Sequence, residues 1–206
     1  MDKKYISVDI EASGPIPGKY SMLSLGACLV GNTDQQFYRE LKPLSDDFVL
    51  PAIKVGVRGL RGLDSRDEFN PDNSKFNPYM VLDALYENGE KPDVVMSDFA
   101  DWIKQVTQGY QPIEVTSPGK FDGMFTAWYF HNFIGENPLG HNGLDINSFY
   151  KGVSENLDAS IKELRTEDLK HNALDDAIQQ AEEYEQVLKM IVSRSSFRSF
   201  YCQMFD

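Results

Sequence analysis

Two periods of hydrophobic repetition run along this chain. The run from Tyr5 to Ile10 is rich in β-formers and ends in acidic residues, which predicts a buried, central strand. Ser21 to Val30 reads as a second strand and Gln36 to Leu41 as a third, with short connections that favour an antiparallel meander. The period then changes. Met96, Phe99, Ala100, Ile103 and Val106 recur at three and four residues, which predicts an amphipathic helix. Pro112 to Thr116 reads as a strand. Phe121, Met124, Phe125, Trp128 and Tyr129 return to helical spacing, and Leu144 to Tyr150 forms a short element. A last long helix is expected from Ala173 to Val192, with the stripe Leu174, Ala177, Ile178, Ala181, Tyr184, Leu188 and Ile191. Strands, helix, strand, helix, short element, helix is the order of an α/β mixed sheet flanked by helices.

Two stretches break the pattern. Residues 64–92 are rich in Asp, Asn, Pro and Gly and form a long loop insertion, with one short helix expected from Tyr79 to Glu87. Arg58, Arg61 and Arg66 stand at its leading edge, and Arg58, Arg61 and Phe69 are candidates to touch a substrate. A solvated surface loop is the alternative. The tail after Ser193 carries Phe197, Phe200, Tyr201 and Phe205, which either pack on the core or form a subunit contact, as in a homodimer.

Length and charge narrow the classes. At 206 residues the chain reads as a single domain, 1–206, that buries roughly 70% of its unfolded surface. Two cysteines, Cys28 and Cys202, make no disulfide framework, so a reducing cytoplasm is the expected compartment. The β-like run begins at once after Met-Asp-Lys-Lys, which leaves no room for a signal peptide before Asp9. The apolar stretch from Met22 to Gly31 is too short to span a bilayer, so no membrane partner is expected. A net charge of -12 argues against broad duplex binding and for a small footprint at a strand end.

Candidate chemistry lies in three separated fragments. Asp9 and Glu11 are two apart on a strand, so both side chains leave one face, roughly 6.6 Å apart along the backbone, and can converge on a cation. Asp122 opens a helix, where an acid also complements the macrodipole. Lys120 and Gly119 beside it could approach a phosphate. His171 precedes a helix start capped by Asn172, on backbone expected to be mobile enough for a general base to swing toward a water. Asp175 and Asp176 follow, and helical geometry does not choose between them as a metal ligand. His131 and His141 read as structural or solvent-facing. Each fragment alone has an ordinary reading as a solvated strand end, a helix start or a capped helix.

Together the fragments resemble the DEDDh family of 3′-to-5′ exonucleases, which includes the epsilon proofreading subunit, ribonuclease T and oligoribonuclease. The pattern reads Asp9-Ile10-Glu11, Phe121-Asp122 and His171 through Asp176. It extends to Ala12-Ser13-Gly14, Leu23-Ser24-Leu25-Gly26-Ala27 and Leu144-Asp145-Ile146. The histidine five residues before the last acid assigns the subgroup and selects Asp176 over Asp175. Ser13 stands where the family usually has Thr, and Thr116-Ser117-Pro118-Gly119 replaces its Gly-His-Asn.

The resemblance implies a ribonuclease H-like fold: a mixed five-stranded sheet, its second strand antiparallel to the others, with helices on both faces. It implies two divalent metal ions, Mg²⁺ or Mn²⁺, held by Asp9, Glu11, Asp122 and Asp176, with His171 as general base. Backbone around Ser13 and Gly14 is expected to contact the terminal nucleotide, which explains a small residue and a glycine there. The expected activity is release of nucleoside 5′-monophosphates from single-stranded DNA or RNA 3′ ends. The rivals are a catalytically silent nucleic-acid-binding module on the same fold and a phosphodiesterase for small nucleotides.

Overall fold

The structure is a computed structural model that describes residues 3–205, with side chains described for 3–193. The aromatic side chains expected to pack the tail lie outside the described residues.

Five strands form one sheet in the order β3-β2-β1-β4-β5. These are β1 (Lys3–Ala12), β2 (Met22–Leu29), β3 (Asn32–Glu40), β4 (Gln111–Thr116) and β5 (Gly143–Asp145). β1 is central. It pairs antiparallel with β2 and parallel with β4, and β4 pairs parallel with β5. β2 is therefore the one strand that runs against the rest, as the resemblance implies.

Alternation along β1 explains how both faces are used. Ile6, Val8, Ile10 and Ala12 enter a core with Leu25, Ala27 and Phe37 of the neighbouring strands. Two helices cover that face: α3 (Pro92–Thr107), through Val95, Met96, Phe99, Ala100, Ile103 and Val106, and α4 (Asp122–Phe133), through Phe125, Tyr129 and Phe130. The opposite face carries Ser7, Asp9 and Glu11, paired in register with Cys28, Gly26 and Ser24. These residues are small or acidic, so a helix can lie close. That helix is α6 (Ala173–Phe205), which brings Ala173, Ala177 and Ala181 down on the sheet. A Cβ on Gly26 would stand 2.2 Å from the Ala173 carbonyl carbon and the Leu174 nitrogen. The approach is thus backbone against backbone.

The remaining helices follow local rules. α2 (Pro78–Asn88) starts with Pro at its first position and is capped by Asn77, whose side chain accepts from the Tyr79 and Met80 amides. α5 (Ile146–Ser154) is capped by Asp145. The short element expected over Leu144 to Tyr150 is therefore the end of β5 followed by a helix. α1 (Leu50–Gly56) was not expected. It is seven residues long, and Ile53, Val57 and Leu60 pack with Val81, Leu82 and Leu85 in a second apolar cluster beneath the insertion. The short helix expected from Tyr79 to Glu87 is α2, which gives the insertion its share of that cluster. Among the described residues no helix is long and apolar enough to cross a membrane.

Candidate active site

β1 outruns β4. Their pairing ends at Ser7 and Val115, so the β4-facing edge of β1 is free beyond that point. The start of α4 fills the gap, and the freed Ile10 amide donates to Asp122 Oδ1 at 3.4 Å. The helix start thereby brings its acid beside Asp9 and Glu11. From the other face, Gln180 of α6 donates to Asp9 Oδ1 at 2.7 Å. One turn earlier on the same helix is Asp176, whose two oxygens accept the Lys170 amide at 2.9 Å and the His171 amide at 3.0 Å.

Ligand atoms of Glu11, His171 and Asp176 lie within 4.8 Å of one another, a candidate metal centre. Asp9 and Asp122 fall outside that trio but couple to it through their charges. Burial first, then the charges of Asp122, Glu11 and Asp176, holds the Asp9 carboxyl well above its ordinary range. Glu11 is raised by burial and then by Asp176 and Asp122. Burial also raises Asp122 and Asp176, against the opposing backbone bonds from Ile10 and from Lys170 and His171. Folding thus gathers Asp9, Glu11, Asp122, His171 and Asp176 around the end of β1.

The donor set suits a hard divalent cation, which prefers carboxylate oxygens. Asp122 Oδ2 is buried with no hydrogen-bond partner. Buried oxygens are normally satisfied, and a cation would supply what this one lacks. Asp175, by contrast, is part-exposed and pairs with Arg61 at 3.3 Å. The geometry separates the two neighbouring acids that helical periodicity left equivalent.

Ser13 is fully buried, and its hydroxyl donates to the Asp47 carbonyl at 2.8 Å and accepts from the Ser21 amide at 3.0 Å. Its own amide and carbonyl are taken by Ser21 and Val49. Gly14 is buried against the Tyr20 ring, which a Cβ would meet at 2.3 Å. Both residues build the turn after β1, where the Ser13 hydroxyl, amide and carbonyl already have partners. Arg58 is engaged by Asp72 at 2.6 Å, Arg61 by Asn172 and Asp175, and Phe69 is buried. Both arginines stay partly exposed in these pairs. The Gly119 amide is likewise occupied by Asp145 Oδ2 at 2.8 Å.

His171 does not sit on a loose hinge, because its amide is tied to Asp176 and its backbone takes the left-handed conformation, φ 54°. His131 and His141 are exposed, at the rim of a cleft of ≈ 620 Å³ between α4 and β5. Gln180 was missed from sequence. Its one signal was position, four residues after Asp176 on the same helix face.

No protein-family profile matches the chain. Over 197 residues it is 36% identical to the 3′-5′ DNA exonuclease Cap18 of Escherichia coli, covering 90% of this chain and 92% of that protein. Among solved structures, E. coli exonuclease I in complex with a dT13 oligonucleotide matches with a TM-score of 0.58 and 13% identity, over 97% of this chain and 43% of that one. The zinc-bound form of the exonuclease I complex with single-stranded DNA matches with a TM-score of 0.54 and 13% identity, over 98% of this chain and 43% of that one. This second likeness is one of fold, ribonuclease H-like in both, and the chain spans about two fifths of the exonuclease I length.

Proposed function

Since the chain belongs to the DEDD-type 3′-5′ exonucleases, we propose that it shortens single-stranded DNA from the 3′ end and releases nucleoside 5′-monophosphates. The observation that carries this reading is the set of buried carboxylates converging on the end of β1, with one oxygen of Asp122 unmet and His171 alongside. DNA is favoured over RNA because the relatives above are a DNA exonuclease and a nuclease bound to DNA. RNA ends and a homodimer draw no support from them. A cytoplasmic setting remains part of the proposal, consistent with the lack of a disulfide framework.

We assign Asp9, Glu11, Asp122 and Asp176 to holding two divalent ions, Mg²⁺ or Mn²⁺. When bound, such ions offset the crowded negative charge and act as Lewis acids at the scissile phosphate. The chain's own part is orientation and proton transfer. Asp122 is aimed by the Ile10 amide, Asp9 by Gln180, and Asp176 by two amides of the segment that carries His171. The His171 imidazole, beside Glu11 and Asp176, accepts the proton of the attacking water. Lys120 is exposed, has no ion pair among the described residues and stands two residues before Asp122. It is assigned a phosphate contact.

A single time course tests the reading. A 5′-labelled single-stranded DNA should give a ladder shrinking from the 3′ end in Mg²⁺, and EDTA should stop it. Binding without hydrolysis would identify a silent module. Hydrolysis of a mononucleotide ester but not of the oligomer would identify a small-nucleotide phosphodiesterase. Faster cleavage of a matched RNA would overturn the DNA assignment.

A further inference from the structure

We infer that Gly59 and Arg61, which lie outside the acid and histidine motifs, form a positioning clamp that holds His171 at the site. The kinetic consequence rests on the exonuclease reading, while the clamp itself can be tested without activity. His171 occupies the left-handed backbone region at φ 54°, which a residue with a Cβ keeps only where its surroundings impose it. On the inner side, Asp176 accepts the Lys170 and His171 amides. On the outer side, the chain leading into the insertion closes over the same peptides.

Gly59 lies flat against them. A Cβ there would stand 2.2 Å from the His171 carbonyl oxygen and 2.5 Å from Asn172 Cα. The Gly59 carbonyl accepts from Asn172 Nδ2 at 2.6 Å. Arg61 Nη2 donates to Asn172 Oδ1 at 3.1 Å and to Asp175 Oδ1 at 3.3 Å. The buried Asn172 amide is thus used at both ends, since its Oδ1 also caps α6 by accepting the Asp175 amide at 3.1 Å.

The clamp is itself anchored on β3. The Arg61 guanidinium lies 4.5 Å over the Tyr38 ring. The Tyr38 hydroxyl donates to Glu40 Oε1 at 2.6 Å, and Glu40 also accepts the Arg61 and Gly62 amides. Arg61 can both stack and donate to two acceptors because its guanidinium is planar. With the peptides on either side fixed, the His171 side-chain torsions are its remaining freedom. The imidazole stays beside Glu11 and Asp176 without a backbone search.

The rival role for Arg61, half-exposed as it is, is direct contact with substrate phosphate. The test compares Arg61→Ala, Arg61→Lys and Gly59→Ala in the full chain, each alone and combined with His171→Ala. On 5′-labelled single-stranded DNA in Mg²⁺, Arg61→Ala should lower kcat about 10- to 100-fold with KM hardly changed. Lysine should restore only part of the loss. In the His171→Ala background, Arg61→Ala should add nothing. In metal-free protein, hydrogen exchange of the 170–175 amides should accelerate in Arg61→Ala while the β1 and β2 amides hold.

A rise in KM at unchanged kcat, an equal loss in the His171→Ala background, or unaltered exchange would each overturn the clamp. Should Gly59→Ala fail to fold, the surface variant Arg61→Ala still decides. Should the wild type leave DNA intact, the exonuclease reading falls, and the exchange measurement alone judges the clamp.

Discussion

The acid pocket at the end of β1 and the insertion beside it handle charge in opposite ways. In the insertion and at its leading edge, Arg58 meets Asp72 at 2.6 Å, Arg66 meets Asp64 at 2.5 Å and Lys75 meets Asp67 at 2.8 Å. These charges are exposed and paired with a near neighbour. In the pocket, acids are buried against acids, and burial and neighbouring carboxylates are the largest influences on Asp9 and Glu11. The insertion's charges find partners within the chain, whereas Asp122 Oδ2 in the pocket has no hydrogen-bond partner among the described residues. The contrast fits the ligand chemistry proposed for the pocket, although the arginines that first drew notice lie at or near the start of the insertion.

The sharpest way to break this comparison is Asp122→Asn. The amide oxygen can still accept from Ile10, so the fold should hold. Removing a buried charge should leave the metal-free melting temperature equal or higher while exonuclease activity disappears. A collapse in calorimetry would instead make the acid structural. Next in size, His171→Ala should cost about 10²-fold or more in turnover at an unchanged circular dichroism spectrum. A near-normal rate would remove it as the base.

Ion binding should show the pocket's incompleteness directly. Mg²⁺ at about 100 times its Kd should stabilise the fold by about 2.7 kcal/mol in thermal melts, and the gain should vanish in Asp9→Asn.

The pH dependence of the metal-free protein sharpens the same point. Burial and mutual repulsion raise Asp9 and Glu11, and burial raises Asp122 and Asp176. The folded chain therefore keeps protons that the unfolded chain gives up. Stability is fully present below the ordinary carboxylate pKa and is lost as pH rises through the folded values. Glu114, pushed by burial to about 7, adds one such step, falling between about 4.3 and that value. Glu114→Gln should remove it and stabilise the protein at pH 8 by about 1–3 kcal/mol, read from urea melts at pH 4 and pH 8. In the insertion the expected effect is smallest. Arg58→Ala should move the melting temperature by no more than about 2 °C, because exposed pairs contribute little.

Much of this was legible in the sequence, for reasons that vary by residue. Asp9 and Glu11 were visible because a strand of period two shows its two faces openly. α3, α4 and α6 were visible because their apolar stripes are long. α1 was not, since it is one Pro-started helix of seven residues whose burial depends on the insertion above it. β5 was merged with α5 because three residues are too few to show alternation. Ser13 and Gly14 drew notice as small residues beside the site. Their hydrogen bonds and the Tyr20 ring, all long-range or cross-turn, were not visible. The partners of Arg61 and Gln180 were hidden for one shared reason: each lies more than 100 residues away in the chain.

The contact at Gly26 has a consequence for how the acids stay together. Asp9 and Gly26 face each other across β1 and β2, and the backbone of Ala173 and Leu174 rests on Gly26. The thickness of the layer between strand acids and helix acid is therefore gauged by an atom that is missing. One methyl group there would act as a shim, lifting the first turn of α6 and drawing Asp176 away from Asp9 without touching a single acidic side chain.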